Sequence, residues 1–278
     1  MTVDPRIDAD YAFSHRYPER QDVYDRIDAM SVQARLTLRG TCDLAYGAHP
    51  LERLDLFPGQ PGRPLVVFIH GGYWRSMDKR SFSYVARPLV ELGYSVAVVN
   101  YPLAPEVRVA DIAGSVGRAL DWLAVQGRAH LPAYASIVLA GHSAGGHLAA
   151  CVAGERGTAS GIAGCVCISG IFDLEPLMKT SLAAQVHLSP TDVAAWSPLT
   201  RAPFDGWMLL AVGTDETPGF VEVQTGRFAA RRESADCVTQ VLPIEGANHY
   251  TVLMAMASRN EALVRALDAC TRDAATRP

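Results

Sequence analysis

The sequence lacks a surplus of positive charge. Its 25 lysines and arginines are outnumbered by 29 aspartates and glutamates, so the formal net charge is −4. Proteins that bind a phosphate backbone present clustered cations, and this composition does not supply them. The composition therefore argues against nucleic acid as a partner.

Regularly spaced cysteine pairs and long apolar runs are also missing. The six cysteines include no Cys-x-x-Cys pair, which argues against a disulfide scaffold. The most apolar window, residues 135–153, is interrupted by His142, Ser143 and His147, whereas a membrane-spanning helix needs about 20 apolar residues. Residues 1–6 lack the apolar core of a signal peptide. The sequence therefore predicts a cytoplasmic protein with reduced thiols and no membrane partner.

Short apolar runs alternate with helical stretches from about residue 50 onward. The runs predict strands at 54–57, 65–69, 95–99, 137–140, 164–168, 208–212 and 238–242. The stretches between them predict helices at 79–92, 109–126, 144–154, 220–235 and 250–270. Such alternation indicates βαβ units, and so an α/β domain with a mainly parallel central sheet and helices on both faces.

Two segments stand outside this alternation. Residues 1–45 are rich in charged and aromatic side chains and predict an N-terminal arm, with a small helical pair that packs on the main body. Residues 171–204 contain four prolines and predict a small lid insertion above the edge of the sheet. A length of 278 residues is compatible with one domain or two, and the pattern predicts a single domain over 1–278.

A Gly-x-Ser-x-Gly pattern lies between a predicted strand and a predicted helix. Ser143 is its central residue, flanked by Gly141 and Gly145. Glycines permit a sharp strand-to-helix turn, in which a strained serine backbone lifts the hydroxyl above the sheet. The turn also places the Ala144 amide at a helix N-terminus, where it can stabilise an oxyanion. In this context the pattern predicts a nucleophilic serine rather than a simple tight turn.

The segment His70-Gly71-Gly72-Tyr73-Trp74 directly follows another predicted strand. Two successive glycines present backbone amides with no side chain in the way, so Gly71 and Gly72 are predicted to complete an oxyanion hole. Tyr73 and Trp74 are candidate substrate-binding residues, and core packing is the alternative for both.

A serine nucleophile needs a base, which an acid in turn orients. In proteins with this type of serine turn, the acid and then the histidine follow the serine along the chain. His249 follows the last predicted strand and is the candidate base, whereas His142 and His147 are predicted to be structural. Asp215 and Glu216 both follow a predicted strand, and adjacent carboxylates cannot both face one imidazole. The residues alone leave the acid open between these two.

The two glycine motifs and the segment 212–220 resemble the arylformamidase (kynurenine formamidase) branch of the α/β-hydrolase esterases, and the similarity runs from about Tyr11 to the end. The resemblance implies the α/β-hydrolase fold. It also implies that the acid is Glu216, four positions before the aromatic Phe220. The chain departs from the branch at Gly219, where relatives have an acid, and at 221–223, which replaces an Arg-Gln pair.

The resemblance further implies a serine hydrolase that acts through an acyl-enzyme on small aryl esters or N-formyl aryl amides. Its triad is Ser143, Glu216 and His249, and it needs neither cofactor nor metal. A small-molecule substrate is the expected partner, and a homodimer is left open. A general carboxylesterase is the nearest alternative because it uses the same chemistry. A non-catalytic α/β-hydrolase that binds a small ligand is the second alternative.

Overall fold

The computed structural model describes residues 2–276, and in this part of the chain eight strands form one sheet flanked by nine α-helices. The strands are β1 (Thr41–Ala45), β2 (Arg53–Phe57), β3 (Leu65–Ile69), β4 (Ser95–Val99), β5 (Ile137–His142), β6 (Ile162–Ile168), β7 (Trp207–Gly213) and β8 (Thr239–Ile244). The helices are α1 (Pro5–Tyr11), α2 (Arg20–Thr37), α3 (Ala86–Glu91), α4 (Val109–Val125), α5 (Ala144–Arg156), α6 (Leu182–Gln185), α7 (Pro190–Trp196), α8 (Arg227–Glu233) and α9 (Ala262–Thr276).

The strand order in the sheet is β1-β2-β4-β3-β5-β6-β7-β8. Strands β3 to β8 run parallel to one another, while β2 pairs antiparallel with both β1 and β4. Strands β3, β4 and β7 are buried along their whole length, as expected for parallel strands covered on both faces. The predicted α/β class with a mainly parallel sheet is confirmed.

Helices cover both faces of the sheet. Val67 of β3 packs in a core with Val116 of α4 and residues of α5, whereas its neighbour Phe68 packs in a second core with Leu89 of α3 and Leu263 of α9. Successive side chains of a strand point to opposite faces, which explains why adjacent residues serve different cores. No helix within residues 2–276 is both long and apolar enough to cross a lipid bilayer.

The sheet begins at Thr41, inside the segment that the sequence assigns to the arm. Residues 41–45 form edge strand β1, which pairs antiparallel with β2. Its side chains are exposed or half-buried, and its sequence holds no apolar run that would predict a strand.

The arm itself contains α1 and α2, and an ion pair joins α2 to the main body. Arg35 of α2 contacts the buried carboxylate of Asp55 on β2, and Lys79 Nζ lies 2.6 Å from Oδ1 of the same carboxylate. Asp55 is fully buried, so removing either cation would leave its charge less compensated in a medium that solvates it poorly. The contact between Arg35 and Asp55 positions the C-terminal part of α2 against β2.

The predicted lid segment lies between β6 and β7 and contains α6 and α7. It contacts the arm directly. The backbone N–H of Asp4 donates to the carbonyl of Lys179 at 2.8 Å, and the N–H of Ser181 donates to Oδ1 of Asp8 at 2.7 Å. Arm and lid are therefore joined to each other as well as to the sheet.

Candidate active site

Ser143 occupies the turn between β5 and α5. Its backbone has φ +54° and ψ −117°, in a region that favours glycine and is strained for any other residue. A side chain at Gly145 would overlap the Ile69 carbonyl, and one at Gly141 would overlap the backbone of Gly145. The glycines on either side are therefore required by crowding, and the strained turn places Ser143 at the end of the parallel strands.

Backbone amides surround this serine. Ala144 is the first residue of α5, where helix N–H groups have no partner within the helix. Gly71 follows β3 and approaches closely, since an added methyl group there would lie 2.8 Å from the His142 carbonyl oxygen and 3.3 Å from Ser143 Cβ. Gly72 has φ +103°, which favours glycine. The structure thus brings Gly71 and Ala144 to the turn that holds Ser143, and Gly72 lines the same cavity as the serine.

His249 is hydrogen-bonded to Glu216. The Nδ1–H of the imidazole donates to Oε2 of the carboxylate at 2.7 Å, and the Glu216 side chain is fully buried. Its other oxygen accepts from the Gly213 N–H at 2.8 Å and from the Ser169 hydroxyl. Asp215 is exposed, and within residues 2–276 its carboxylate accepts a hydrogen bond from the Thr214 hydroxyl alone. The geometry distinguishes the two adjacent acids, because Glu216 alone contacts the imidazole.

Aromatic rings fix the plane of the His249 imidazole. The Phe220 ring centroid lies 4.3 Å from that of His249, and the Phe13 ring meets it edge-on at 5.0 Å. The Nε2–H of His142 donates to the His249 carbonyl at 2.9 Å, which holds the backbone as well. Because Nδ1 is hydrogen-bonded to the carboxylate, Nε2 is the imidazole nitrogen that can accept a proton from a group in the pocket.

His142 and His147 are held in the neutral form. Burial, followed by repulsion from His249, lowers the pKa of His142 well below its ordinary value. Burial also lowers the pKa of His147 to about 4. The sequence predicts a structural role for both residues, but it does not predict the bond from His142 to the backbone of His249. No pattern in the sequence signals that bond, since 107 positions separate the two residues.

A cavity of about 200 Å³ opens beside Ser143 and His249, and Gly71, Gly72 and Tyr73 also line it. This is smaller than the roughly 300–1,000 Å³ typical of drug-sized ligands, which favours a small substrate. Tyr73 belongs to the wall, and its hydroxyl donates to the Tyr11 carbonyl at 2.6 Å.

Trp74 lies behind this wall rather than in it. The residue is fully buried, and its indole N–H donates to Nδ1 of His147 at 3.3 Å. His147 in turn donates from Nε2 to the Trp196 carbonyl at 2.7 Å, which links the pocket wall to the lid segment. The structure therefore places Trp74 in the packing role that the sequence left as its alternative.

The N-terminal arm supplies part of the pocket. Tyr11, Ser14, Arg20 and Tyr24 all line the cavity. The sequence predicts that side chains of the arm and the lid segment set the pocket, but it does not identify these four residues. The many aromatic residues of the arm indicate that it packs on an apolar surface. They do not indicate that this surface includes His249.

The chain belongs to the α/β-hydrolase family, because the model of the α/β-hydrolase fold matches residues 66–218, more than half of its length. It is 28% identical over 250 residues to a kynurenine formamidase from Danio rerio, covering 84% of this chain and 83% of the relative. It is 25% identical over 259 residues to one from Salmo salar, covering 87% and 86%.

Solved structures show the same fold. A crystal structure from Silicibacter sp. TM1040, provisionally described as a thioesterase, is 31% identical with a TM-score of 0.79 and covers 93% of this chain and 97% of that chain. Esterase B from Lactobacillus rhamnosis has a TM-score of 0.69 over 92% of this chain and 95% of that chain. At 17% identity it supports the fold alone. The fold, the family and these relatives define the chain as a hydrolase.

Proposed function

We propose that the protein is a serine hydrolase that cleaves small aryl esters or N-formyl aryl amides through an acyl-enzyme. One observation carries this proposal. The His249–Glu216 hydrogen bond, 2.7 Å long and buried, lies beside a cavity that Ser143 also lines. A serine, an imidazole and a carboxylate in this order are the parts of a nucleophilic triad.

The chemistry follows from the positions of these groups. His249 Nε2 removes the Ser143 proton while the serine oxygen attacks the substrate carbonyl carbon. The amides of Gly71, Gly72 and Ala144 donate to the oxyanion that forms. Glu216 holds the imidazole in the tautomer with a proton on Nδ1 and stabilises its charged form.

The intermediate then breaks down in two stages. His249 gives its proton to the departing alcohol or aniline, which leaves an acyl group on Ser143. A water molecule deprotonated by His249 attacks this acyl group and releases a carboxylic acid, which is formic acid for a formamide. The proton returns to Ser143, so the enzyme is regenerated without any added reactant except water.

Two observations support the substrate class. The full-length relatives from Danio rerio and Salmo salar are kynurenine formamidases. The cavity is small and has aromatic side chains in its wall, including Tyr11, Tyr24 and Tyr73. A general carboxylesterase remains the nearest alternative, because the same groups would cleave an alkyl ester. The proposed compartment is the cytoplasm, because the chain holds no disulfide framework.

A hydrolysis panel tests the substrate class. N-formylkynurenine, phenyl acetate and ethyl acetate are compared by kcat/KM on the wild type. We expect the two aryl substrates to be cleaved far faster than the alkyl ester. A wide margin in favour of the alkyl ester would instead assign the protein as a general carboxylesterase.

The nucleophile is tested separately. Ser143→Ala is expected to lower kcat by several orders of magnitude for every substrate in the panel. Ser160→Ala, which removes a hydroxyl from an exposed turn, is the matched control and should retain full activity. Equal turnover by wild type and Ser143→Ala, or none by either, would leave the non-catalytic binding protein as the better description.

A further inference from the structure

The cavity beside Ser143 is lined by two arginines and by no carboxylate within the described residues. Arg20 begins α2, and Arg75 lies in the loop after β3, a few residues beyond the oxyanion glycines. The remaining lining residues are aromatic, apolar, or neutral polar, apart from the two histidines of the site. A chain with a net charge of −4 therefore carries a local positive charge at this pocket.

Neither arginine has a carboxylate partner in the part of the chain that the structure describes. Among residues 2–276, no salt bridge involves Arg20 or Arg75, whereas eight other arginines pair with a carboxylate: Arg35, Arg63, Arg80, Arg108, Arg118, Arg156, Arg227 and Arg272. The carboxylate next to Arg20 along the chain, Glu19, accepts a hydrogen bond from the Asn248 side chain instead. Two guanidinium groups thus line one small cavity without a carboxylate partner among the described residues.

The two arginine side chains differ in how firmly the protein holds them. One terminal nitrogen of Arg20 donates to the Ser14 carbonyl at 2.7 Å, which orients its guanidinium and leaves other N–H groups for a ligand. Arg75 is exposed, and only its backbone has a hydrogen bond within the described residues, to the Gly72 carbonyl. One arginine is therefore preorganised by the arm, and the other can move to meet an anion.

We propose that Arg20 and Arg75 form an anion-recognition site at the solvent side of this pocket, and that the preferred acyl substrate carries a carboxylate there. This inference rests on the proposed function, because it places the anion on the substrate of the Ser143 site. Guanidinium groups bind carboxylates through paired, charge-assisted hydrogen bonds. The arginines would hold the charged end of the substrate while its carbonyl lies at Ser143.

Two matched esters test the proposal. 4-Acetoxybenzoate carries a carboxylate, whereas its methyl ester, methyl 4-acetoxybenzoate, has the same reacting acetyl group and no charge. Comparing each variant with wild type on the same ester removes the difference in intrinsic reactivity. We expect Arg75→Gln to lower kcat/KM for the anionic ester by about tenfold, the size of a lost charge-assisted hydrogen bond, and to change the neutral ester less than about twofold.

Two further variants sharpen the comparison. Arg75→Lys should retain part of the preference for the anion, because it keeps the charge but not the paired geometry. Arg259→Gln removes an exposed arginine that does not line the cavity, and it should alter neither ester. Added salt should slow the anionic ester in the wild type, and it should slow it less in Arg75→Gln, where Arg20 is the one proposed cation that remains. An equal loss on both esters, or the same loss in Arg259→Gln, would overturn the proposal.

Benzoate binding, measured by calorimetry, gives a result that does not depend on turnover. We expect wild type to bind benzoate about tenfold more tightly than Arg75→Gln, because the variant lacks one charge-assisted hydrogen bond to the carboxylate. Equal affinities, or no binding to wild type, would count against the anion site. If neither ester is hydrolysed but benzoate binding still requires Arg75, the proposed hydrolase function fails and the anion site stands.

Discussion

Phe13 of the N-terminal arm packs edge-on against the imidazole of His249, with ring centroids 5.0 Å apart. The phenyl ring is buried and also meets Phe220 edge-on at 5.5 Å. The arm therefore helps to set the orientation of the proposed base, and a misplacement of about 1 Å is enough to slow a reaction that depends on aligned groups.

Replacing Phe13 with leucine should lower kcat more than it lowers substrate affinity. Leucine keeps the site apolar but removes the ring edge, and aromatic contacts of this kind contribute about 0.5–1.5 kcal/mol, so we expect a kcat up to roughly tenfold lower. Phe228→Leu removes a buried ring that stacks on Phe172 outside the pocket, and it is the matched control. A similar fall in kcat for both variants would mean that general loss of packing is responsible.

Glu216→Gln should lower kcat by about 10³–10⁴-fold, because an amide can neither fix the imidazole tautomer nor stabilise its charged form. Asp215→Asn changes the neighbouring carboxylate in the same way at an exposed position, and we expect near wild-type activity. Steady-state kinetics on phenyl acetate measures both variants. The assignment of the acid would be reversed by a larger defect in Asp215→Asn.

Ser169→Ala should weaken catalysis by about tenfold, since hydrogen bonds to charged groups contribute about 1.5–3 kcal/mol. The Ser169 hydroxyl donates to the Glu216 oxygen that does not contact His249, and Ser169 itself is fully buried with φ +49°. Ser115→Ala is a close control, because Ser115 is also a buried serine that donates to a carboxylate, that of Glu52. Turnover of phenyl acetate should fall only in the first variant.

Acidification below pH 6.5 should destabilise the fold partly through His147. Its pKa is about 4 in the folded protein because of burial, against an ordinary value of 6.5, so the unfolded chain takes up the proton first. Stability is therefore lost as the pH falls from about 6.5 to about 4, by at most about 1.4 kcal/mol per pH unit for this group.

Urea denaturation of His147→Gln at pH 7.5 and pH 5 measures this contribution. The variant should be less stable than wild type at pH 7.5, because it disrupts the bonds to Trp74 and Trp196, and the difference should shrink at pH 5. His15→Gln, at an exposed histidine, should follow the wild-type pH dependence. An unchanged difference between His147→Gln and wild type at the two pH values would contradict the assignment.

The central strands could be predicted from the sequence because burial on both faces leaves an unbroken apolar run, as in β3. Strand β1 could not, because an edge strand needs no such run. The helix predicted at 250–270 is divided in the structure into a 3₁₀ turn, Thr251–Met256, and α9. The apolar pattern spans both pieces, and it does not show where the chain bends between them.

The roles of Ser143, Gly71 and Gly72 could be predicted from the sequence because each role depends on a turn formed by immediately neighbouring residues. The choice between Asp215 and Glu216 could not be made from the residues, since it depends on which side chain the end of β7 turns inward. The contributions of Phe13 and Ser169 depend on contacts between distant parts of the chain. Such contacts leave no periodic or spacing signal in a single sequence.

The arm also affects when the pocket can be completed. Tyr11 and Phe13 precede their partners Phe220 and His249 by more than 200 residues, so the ribosome releases the two sides of each contact at different times. Contacts this distant in sequence form slowly compared with local ones. The central strands can pair before Phe220 and His249 are available to the arm. Enzymatic activity would therefore appear only when the last step of folding is complete.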